Sequence, residues 1–546
     1  MKKFKFTIVL FAVIFFCKTL DAKSNQVSVG IEMPVQLPVA EATEEFLKDV
    51  GIDYINFYTK ISPAEPNFLS LNVTKTMVDL CEKLDLDFSI STHRIFPEPE
   101  CIDIAKKSKY FKGVVFDELA HISVINSNLY HISKDFCMIK EPNKINNLHE
   151  AYDATYMGYL NLRKKYEEMN TSVVATHIWP ILNHVAAKAG LTPCPKICKE
   201  LYSPVSLSLG LGAAKQYGTE LWVDCDLWYY ALVPGHGSEE FKSNLLLAYW
   251  LGADRIYIEG SGFNLHEMGK QGVPFSMMKL IHDKRYQLTE HGEVLKWFCR
   301  TYIPEHPRPW TFRDIVPDVV IIRKDDTCHG QRFGNYFPDH LFGVPTLHST
   351  PDTEAWLGLW NLLTYHKTGS DGLTYFKGGY ALPDFEESGW SKDIYGTAGW
   401  ESYASRPFTA SQHSFFAPLN GAVVYDHTAN YELIKDAKLI FVTGIEVTES
   451  TMKAIKRCVK EGAICIGWHN LMKEHGFELD GLHVKTIEYG KGQFVITDDF
   501  ENGEVYGIVA KYLNTPNEIS YRFGNNRVIL RKITENKVEV NVIRVK

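Results

Sequence analysis

The chain has 546 residues, of which 45% are hydrophobic, 23% charged and 13% aromatic, with a formal net charge of −8. At about 150 residues per domain, that length predicts three or four domains, or one large barrel with smaller companions. The ordinary apolar content excludes a disordered or collagen-like chain, and an acidic balance without a basic cluster excludes nucleic acid as a partner. The high aromatic share fits a protein that meets sugar rings.

Lys2, Lys3 and Lys5 precede an apolar run at 6–16, and Ala22 offers a small residue for cleavage. Residues 1–22 therefore read as an export signal, which makes the mature chain secreted or periplasmic. The run is shorter than the roughly 20 apolar residues of a spanning helix, so no membrane span is expected after cleavage. Cys17 raises a lipoprotein alternative, but Phe15 and Phe16 stand where small residues belong. Cys194-Pro-Lys-Ile-Cys198 lacks a second Cys or His pair at zinc spacing, and reads as a loop disulfide or two free thiols rather than a metal site.

From residue 27 to about 300, β-rich runs alternate with amphipathic helical runs. Strands are predicted at 27–33, 53–59, 86–92, 111–118 and 172–179, with a faint sixth near 199–203, then at 220–227 and 255–260. Helices are predicted between them, among others at 149–169, 238–251 and 288–302. Eight alternations in roughly 270 residues predict a (β/α)8 barrel, whose usual length is about 250. Gly210-Leu-Gly212 lacks the third glycine of a dinucleotide fingerprint and reads as part of the helix before strand seven. Pro304, Pro307 and Pro309 break the pattern. A second α/β rhythm follows, with strands at 317–323, 421–425, 438–443 and 463–467, helices at 352–366 and 448–461, and a polar excursion at 368–415. From about 490, short strands at 492–497, 504–511, 518–522 and 526–544 suit a small antiparallel domain. The division expected is a signal at 1–22, a barrel at 23–305, an α/β domain at 306–489 and a β domain at 490–546.

A barrel of this kind carries its chemistry at the C-terminal strand ends. Those ends hold Glu32, Tyr58, His93 with Arg94, Asp117 and Glu118 with His121 beyond, His177 and Trp179, Asp224 and Asp226 with Trp228 beyond, and Glu259. Any one acid there could be a helix cap or an ion-pair partner. Period-two spacing puts Val114, Phe116 and Glu118 on one face of strand four, and Trp222, Asp224 and Asp226 on one face of strand seven. A buried carboxylate needs a partner or a task, and two acids two residues apart push their pKa values apart. Glycoside hydrolysis needs such a pair, one to protonate the leaving oxygen and one to attack or activate water. His93, His121 and His177 with Asp224 suggest a metal site, but no H-E-x-x-H spacing supports one, and no metal or cofactor is expected. Nor is there a Walker A sequence or a nucleophile elbow, since Glu259 precedes Gly260-Ser-Gly262.

The layout resembles the retaining glycoside hydrolases of clan A, especially the β-galactosidases of family 42. The residues that carry it are Val-Val-Phe-Asp117-Glu118 at strand four, LWVDCDLW at strand seven, LLLAYWLGADRIYIEG at 245–260, and the helix LTEHGEVLKWF. The segment 426–466 is similar to the amidotransferase-like domain that follows such barrels, without a Cys-His-Glu triad. The resemblance implies Glu118 as general acid/base, and a dimer or trimer as the assembly. Asp117 stands where the family has Asn, and Asp224 and Asp226 stand where it has a strand-seven Glu. The second carboxylate is therefore Asp224, then Asp226, then Glu259. The remaining residues, Glu32, Tyr58, His93, Asp117, His121, His177, Trp179 and Trp228, are expected to contact a carbohydrate. A catalytically silent carbohydrate-binding barrel and a metal-dependent hydrolase or deacetylase are the alternatives.

Overall fold

A computed structural model describes residues 27–34, 41–59, 69–92, 96–124, 138–198, 203–227, 236–259, 276–282, 285–329, 340–368, 415–513 and 515–545. Eight parallel strands close into a barrel: β1 (Ser28–Pro34), β2 (Tyr54–Thr59), β3 (Asp87–Thr92), β4 (Phe111–Phe116), β5 (Val173–His177), β6 (Thr192–Ile197), β7 (Trp222–Asp226) and β8 (Arg255–Glu259). β1 pairs with β8 to complete the ring. Seven strands lie within a few residues of their predicted places.

The sixth differs. It occupies Thr192–Ile197, the segment read from sequence as a cysteine loop, while 199–202 lie outside the described residues. Pro193 and Pro195 cannot donate to a ladder, so the run TPCPKI lacks a strand's usual signature. Its pairing with β7 is correspondingly brief, Lys196 to Asp224 and Ile197 to Cys225.

Local chemistry fixes the helices between strands. Ser70 caps Leu71–Leu84 by accepting from the Val73 amide, and Asp85 ends it in the left-handed region. Asn147 caps Leu148–Glu168 and Thr289 caps Glu290–Trp297 in the same way. Helix Ser203–Tyr217 contains Gly210 and Gly212. A Cβ on Gly212 would sit 1.7 Å from the Val424 carbonyl oxygen of the second sheet, and one on Gly210 would sit 2.6 Å from the Pro195 ring of β6, so the two glycines serve close packing on both sides of the helix. Ser208 Oγ donates to the Ala422 carbonyl across that contact, at 2.7 Å.

The second sheet has six strands, in the order Ala422–Tyr425, Val319–Lys324, Leu439–Gly444, Ile464–Trp468, Gly492–Thr497 and Val484–Tyr489, with only the last pair antiparallel. Residues 492–497 thus belong to this sheet rather than to the terminal one. Residues Gly503–Val509 form a helix where a strand was expected, capped by Asn502. The terminal sheet comprises Leu419–Asn420, Glu518–Phe523, Asn526–Thr534 and Lys537–Arg544. Most of the predicted excursion at 368–415 lies outside the described residues. Among the described residues, no helix is long and apolar enough to cross a membrane.

Candidate active site

Alternation along the strands decides which side chains enter the barrel. Tyr54, Val115, Val174, Cys194, Trp222 and Tyr257 form a separate apolar cluster inside it. Two residues further along each strand, above that plug, stand Asn56, Asp117, Thr176, Lys196, Asp224 and Glu259. Asp226 lies one step higher on β7, and Glu32 and Tyr58 close the layer from β1 and β2. Carboxylates from β1, β4, β7 and β8 therefore meet at the C-terminal mouth, where barrel chemistry is placed.

At their centre is Lys196, which is 1% exposed. Its Nζ lies 3.0 Å from Asp117, 3.1 Å from Asp226, 3.5 Å from Asp224 and 3.7 Å from Glu118, and it also pairs with Glu259. Thr176 Oγ1 donates to Asp117 at 3.1 Å, and the Tyr257 hydroxyl donates to Asp224 at 3.1 Å. Oxygens of Asp117, Asp224 and Glu259 lie within 4.8 Å of one another, a spacing suited to ligands of one metal ion. The Lys196 ammonium already reaches all three. Among the described residues, the group spaced to hold a metal ion is made of these carboxylates and includes no histidine.

Burial dominates the protonation of this cluster. It raises Glu32 and Glu259 well above the usual carboxylate range, reinforced by neighbouring carboxylates and opposed by Lys196. Asp224 is pushed up to about 8 by burial, although Lys196 pulls it down. For Lys196 burial disfavours the charged form, but Asp117, Asp226, Glu259 and Asp224 together hold its proton above the ordinary lysine range. At neutral pH Asp224 thus holds a proton beside the Lys196 ammonium.

Glu118 reaches the site by a route the sequence did not show. Val114 and Phe116 face the surrounding helices, and the inward pair on β4 is Val115 and Asp117. The shared face predicted for Val114, Phe116 and Glu118 is therefore the outer one. Glu118 follows the strand with φ of 53°, in the left-handed region that a non-glycine residue seldom adopts. That turn returns its carboxylate to within 3.7 Å of Lys196, with a side chain 14% exposed, whereas Asp224 and Asp226 are fully enclosed. Strained backbone at a cleft is a common mark of function.

Other expectations are corrected. His177 turns to the Ile181 carbonyl, 3.2 Å from Nδ1, and burial lowers its pKa to about 3, so it stands as a neutral wall residue. Trp179 is 1% exposed and stacks on His329, with centroids 5.4 Å apart and planes 6° from parallel. That ring face is taken by the second α/β unit rather than open to a sugar. The same unit reaches the barrel through Asp325, which accepts from the Leu182 amide. His93 and Trp228 lie outside the described residues; His121 begins the third residue of helix Leu119–Val124, with its side chain outside them.

Lys196 was missed because its segment was read for its cysteines. With β6 placed correctly, period two puts Cys194 and Lys196 on the inner face. Cys194 joins the interior plug, and Cys198 packs 3.6 Å, sulfur to sulfur, from Cys225. The described cysteines are free thiols.

No protein-family model matches the chain, and no curated protein matches its sequence. Among solved structures, the chain is similar to an exo-β-1,4-mannosidase from Opitutaceae bacterium strain TAV5, at 9% identity and a TM-score of 0.43, over 87% of this chain and 92% of that one. It is also similar to an endo-β-1,4-mannanase from Thermotoga petrophila, at 8% identity and a TM-score of 0.32, over 55% and 82%. A phospho-2-dehydro-3-deoxyheptonate aldolase from Thermotoga maritima matches at 11% identity and a TM-score of 0.27, over 52% and 70%. None of these likenesses bears on chemistry; the barrel stands on the chain's own strand pairing.

Proposed function

We propose that the chain is an exported glycoside hydrolase with Glu118 as general acid/base. The observation that carries this reading is the convergence of Glu118 with Asp117, Asp224, Asp226 and Glu259 at one barrel mouth. Glu118 is the most accessible of these, on a strained turn, and so the one best able to meet a leaving oxygen. The partner carboxylate must be ionised to attack or to activate water. Asp224, pushed up to about 8, keeps its proton at neutral pH, and burial pushes Glu259 in the same direction. Asp226 stands one step nearer the mouth on β7, 3.1 Å from the ammonium, and on that geometry ranks ahead of Asp224 as partner. Glu32, Tyr58 and Asp117 line the place where sugar hydroxyls would bind.

The test is a panel of oligosaccharides and aryl glycosides read by mass spectrometry, beginning with the β-galactosides that the family 42 resemblance puts first. The reading expects new reducing ends with wild type and none from unactivated glycosides with Glu118→Gln. A second reading, a carbohydrate-binding barrel without turnover, is favoured by the position of Lys196, whose ammonium occupies the space between the carboxylates. Calorimetric glycan binding with no product from any panel member would select it. N-terminal sequencing of the secreted protein tests cleavage after Ala22.

A further inference from the structure

We infer that Lys196 is the positioning residue of the mouth: a cation built into the chain that stands where a divalent ion would and holds the carboxylates of β4, β7 and β8 in one arrangement. As a role in turnover, this rests on the glycosidase reading; as a statement about charge, it stands alone.

Lys196 is buried beneath the mouth, with no surface water to screen it, so its contacts are not the weak surface kind. Five carboxylates on three strands lie within 3.7 Å of one nitrogen. Without that charge, oxygens of Asp117, Asp224 and Glu259 that lie within 4.8 Å of one another could ionise only against one another. An ammonium offers three donors and no acceptor, so it can hold several carboxylates but cannot bind them in the fixed planar fork of an arginine. It also links Glu118 at the rim to Asp226 below, so the geometry of the acid and of its partner depends on one atom.

Six of the eight barrel strands contribute a titratable group around that atom: Glu32 from β1, Tyr58 from β2, Asp117 and Glu118 after β4, Cys194 from β6 itself, Asp224 and Asp226 from β7, and Tyr257 and Glu259 from β8; β5 offers Thr176, which does not titrate. Taking the positive charge away makes each remaining carboxylate harder to ionise. The limb of the pH profile set by the ionised partner must then move to higher pH. The vacated space, lined by Asp117, Asp224 and Glu259, also becomes a hard-oxygen site of the kind divalent cations occupy.

The experiment compares full-length wild type with Lys196→Ala. Wild type should bind no Mn2+ by calorimetry and be indifferent to chelator, while Lys196→Ala should bind about one Mn2+ per chain. With an aryl glycoside, the acidic limb of kcat for Lys196→Ala should shift upward by one pH unit or more, with kcat falling far more than KM changes. An unchanged acidic limb together with no gain of Mn2+ binding would overturn the inference. If Lys196→Ala does not fold, Lys196→Met combined with Glu259→Gln, which removes the cation and the acidity of a carboxyl paired with it, should fold; failure of that variant as well would overturn it. Absence of turnover in wild type would count against the glycosidase reading alone, because the Mn2+ measurement needs no activity.

Discussion

Among the described residues, two buried cations on the barrel strands, Arg255 and Lys196, are treated differently. Arg255, near the N-terminal end of β8, donates to Asp87 at 3.1 Å and lies over the rings of Tyr54 and Trp222, 4.2 and 4.7 Å from their centroids. Its charge is met by the paired Asp87, by the nearby Asp53 and by aromatic faces, an arrangement that holds a fold together. Lys196, near the C-terminal end of β6, faces five carboxylates, two of which, Asp224 and Glu259, are pushed toward their protonated forms. The first site is balanced and the second is over-supplied with acid. In barrels the bottom face serves stability and the top face serves chemistry, and here that division is visible as two ways of burying one positive charge.

The comparison can be broken at several points. The largest expected effect is at the top: Glu118→Gln should lower kcat/KM on glycosides with poor leaving groups by about 10²–10⁴-fold with an unchanged melting temperature. Loss of folding instead of activity would place Glu118 with the structural set. The next is at the bottom: Arg255→Met should cost about 2 kcal/mol in denaturant unfolding, from the lost charged hydrogen bond and ring contacts, and leave activity per folded molecule intact. A large kcat loss there would erase the distinction between the two ends.

Smaller effects lie in the pH dependence of stability. Asp224 has a folded pKa of about 8, raised by burial, so between about 4 and 8 the folded state binds the proton that the unfolded chain has released. Its contribution to stability therefore falls as pH rises through that window and is level above it. Asp224→Asn, which is uncharged throughout, should flatten that decline in melting curves taken from pH 5 to 9; an unaltered slope would contradict the assignment. His177 runs the other way. Lowered to about 3 by burial, it stays neutral when folded while the unfolded chain takes up a proton, so its contribution falls as pH drops from about 6.5 to 3. His177→Gln should reduce that acid-side loss by a smaller amount.

Much of the architecture was legible because most barrel strands carry β-branched and aromatic residues bounded by helical periods, as in YINFYT of β2 and RIYIE of β8. β6 was not, because two prolines remove the signature that strand prediction reads. The error hid Lys196, the residue around which the site is organised. Parity alone put Asp224 and Asp226 inside the barrel, and they are there. The same rule misplaced Glu118, because a left-handed residue after the strand breaks alternation, and nothing in the local sequence marks it. Trp179 shows a different limit: its stacking partner, His329, is 150 positions further on, in another sheet's loop.

The central claim is that the top of this barrel cleaves glycosides through Glu118 and a partner carboxylate. Incubating wild type and Glu118→Gln with an oligosaccharide panel in ¹⁸O-labelled water, and weighing the products, tests it most directly. The account predicts cleaved products from wild type with one ¹⁸O at the new reducing end, and none from Glu118→Gln. A folded wild type that yields no labelled product from any member of the panel, or a Glu118→Gln variant that yields as much as wild type, would contradict it.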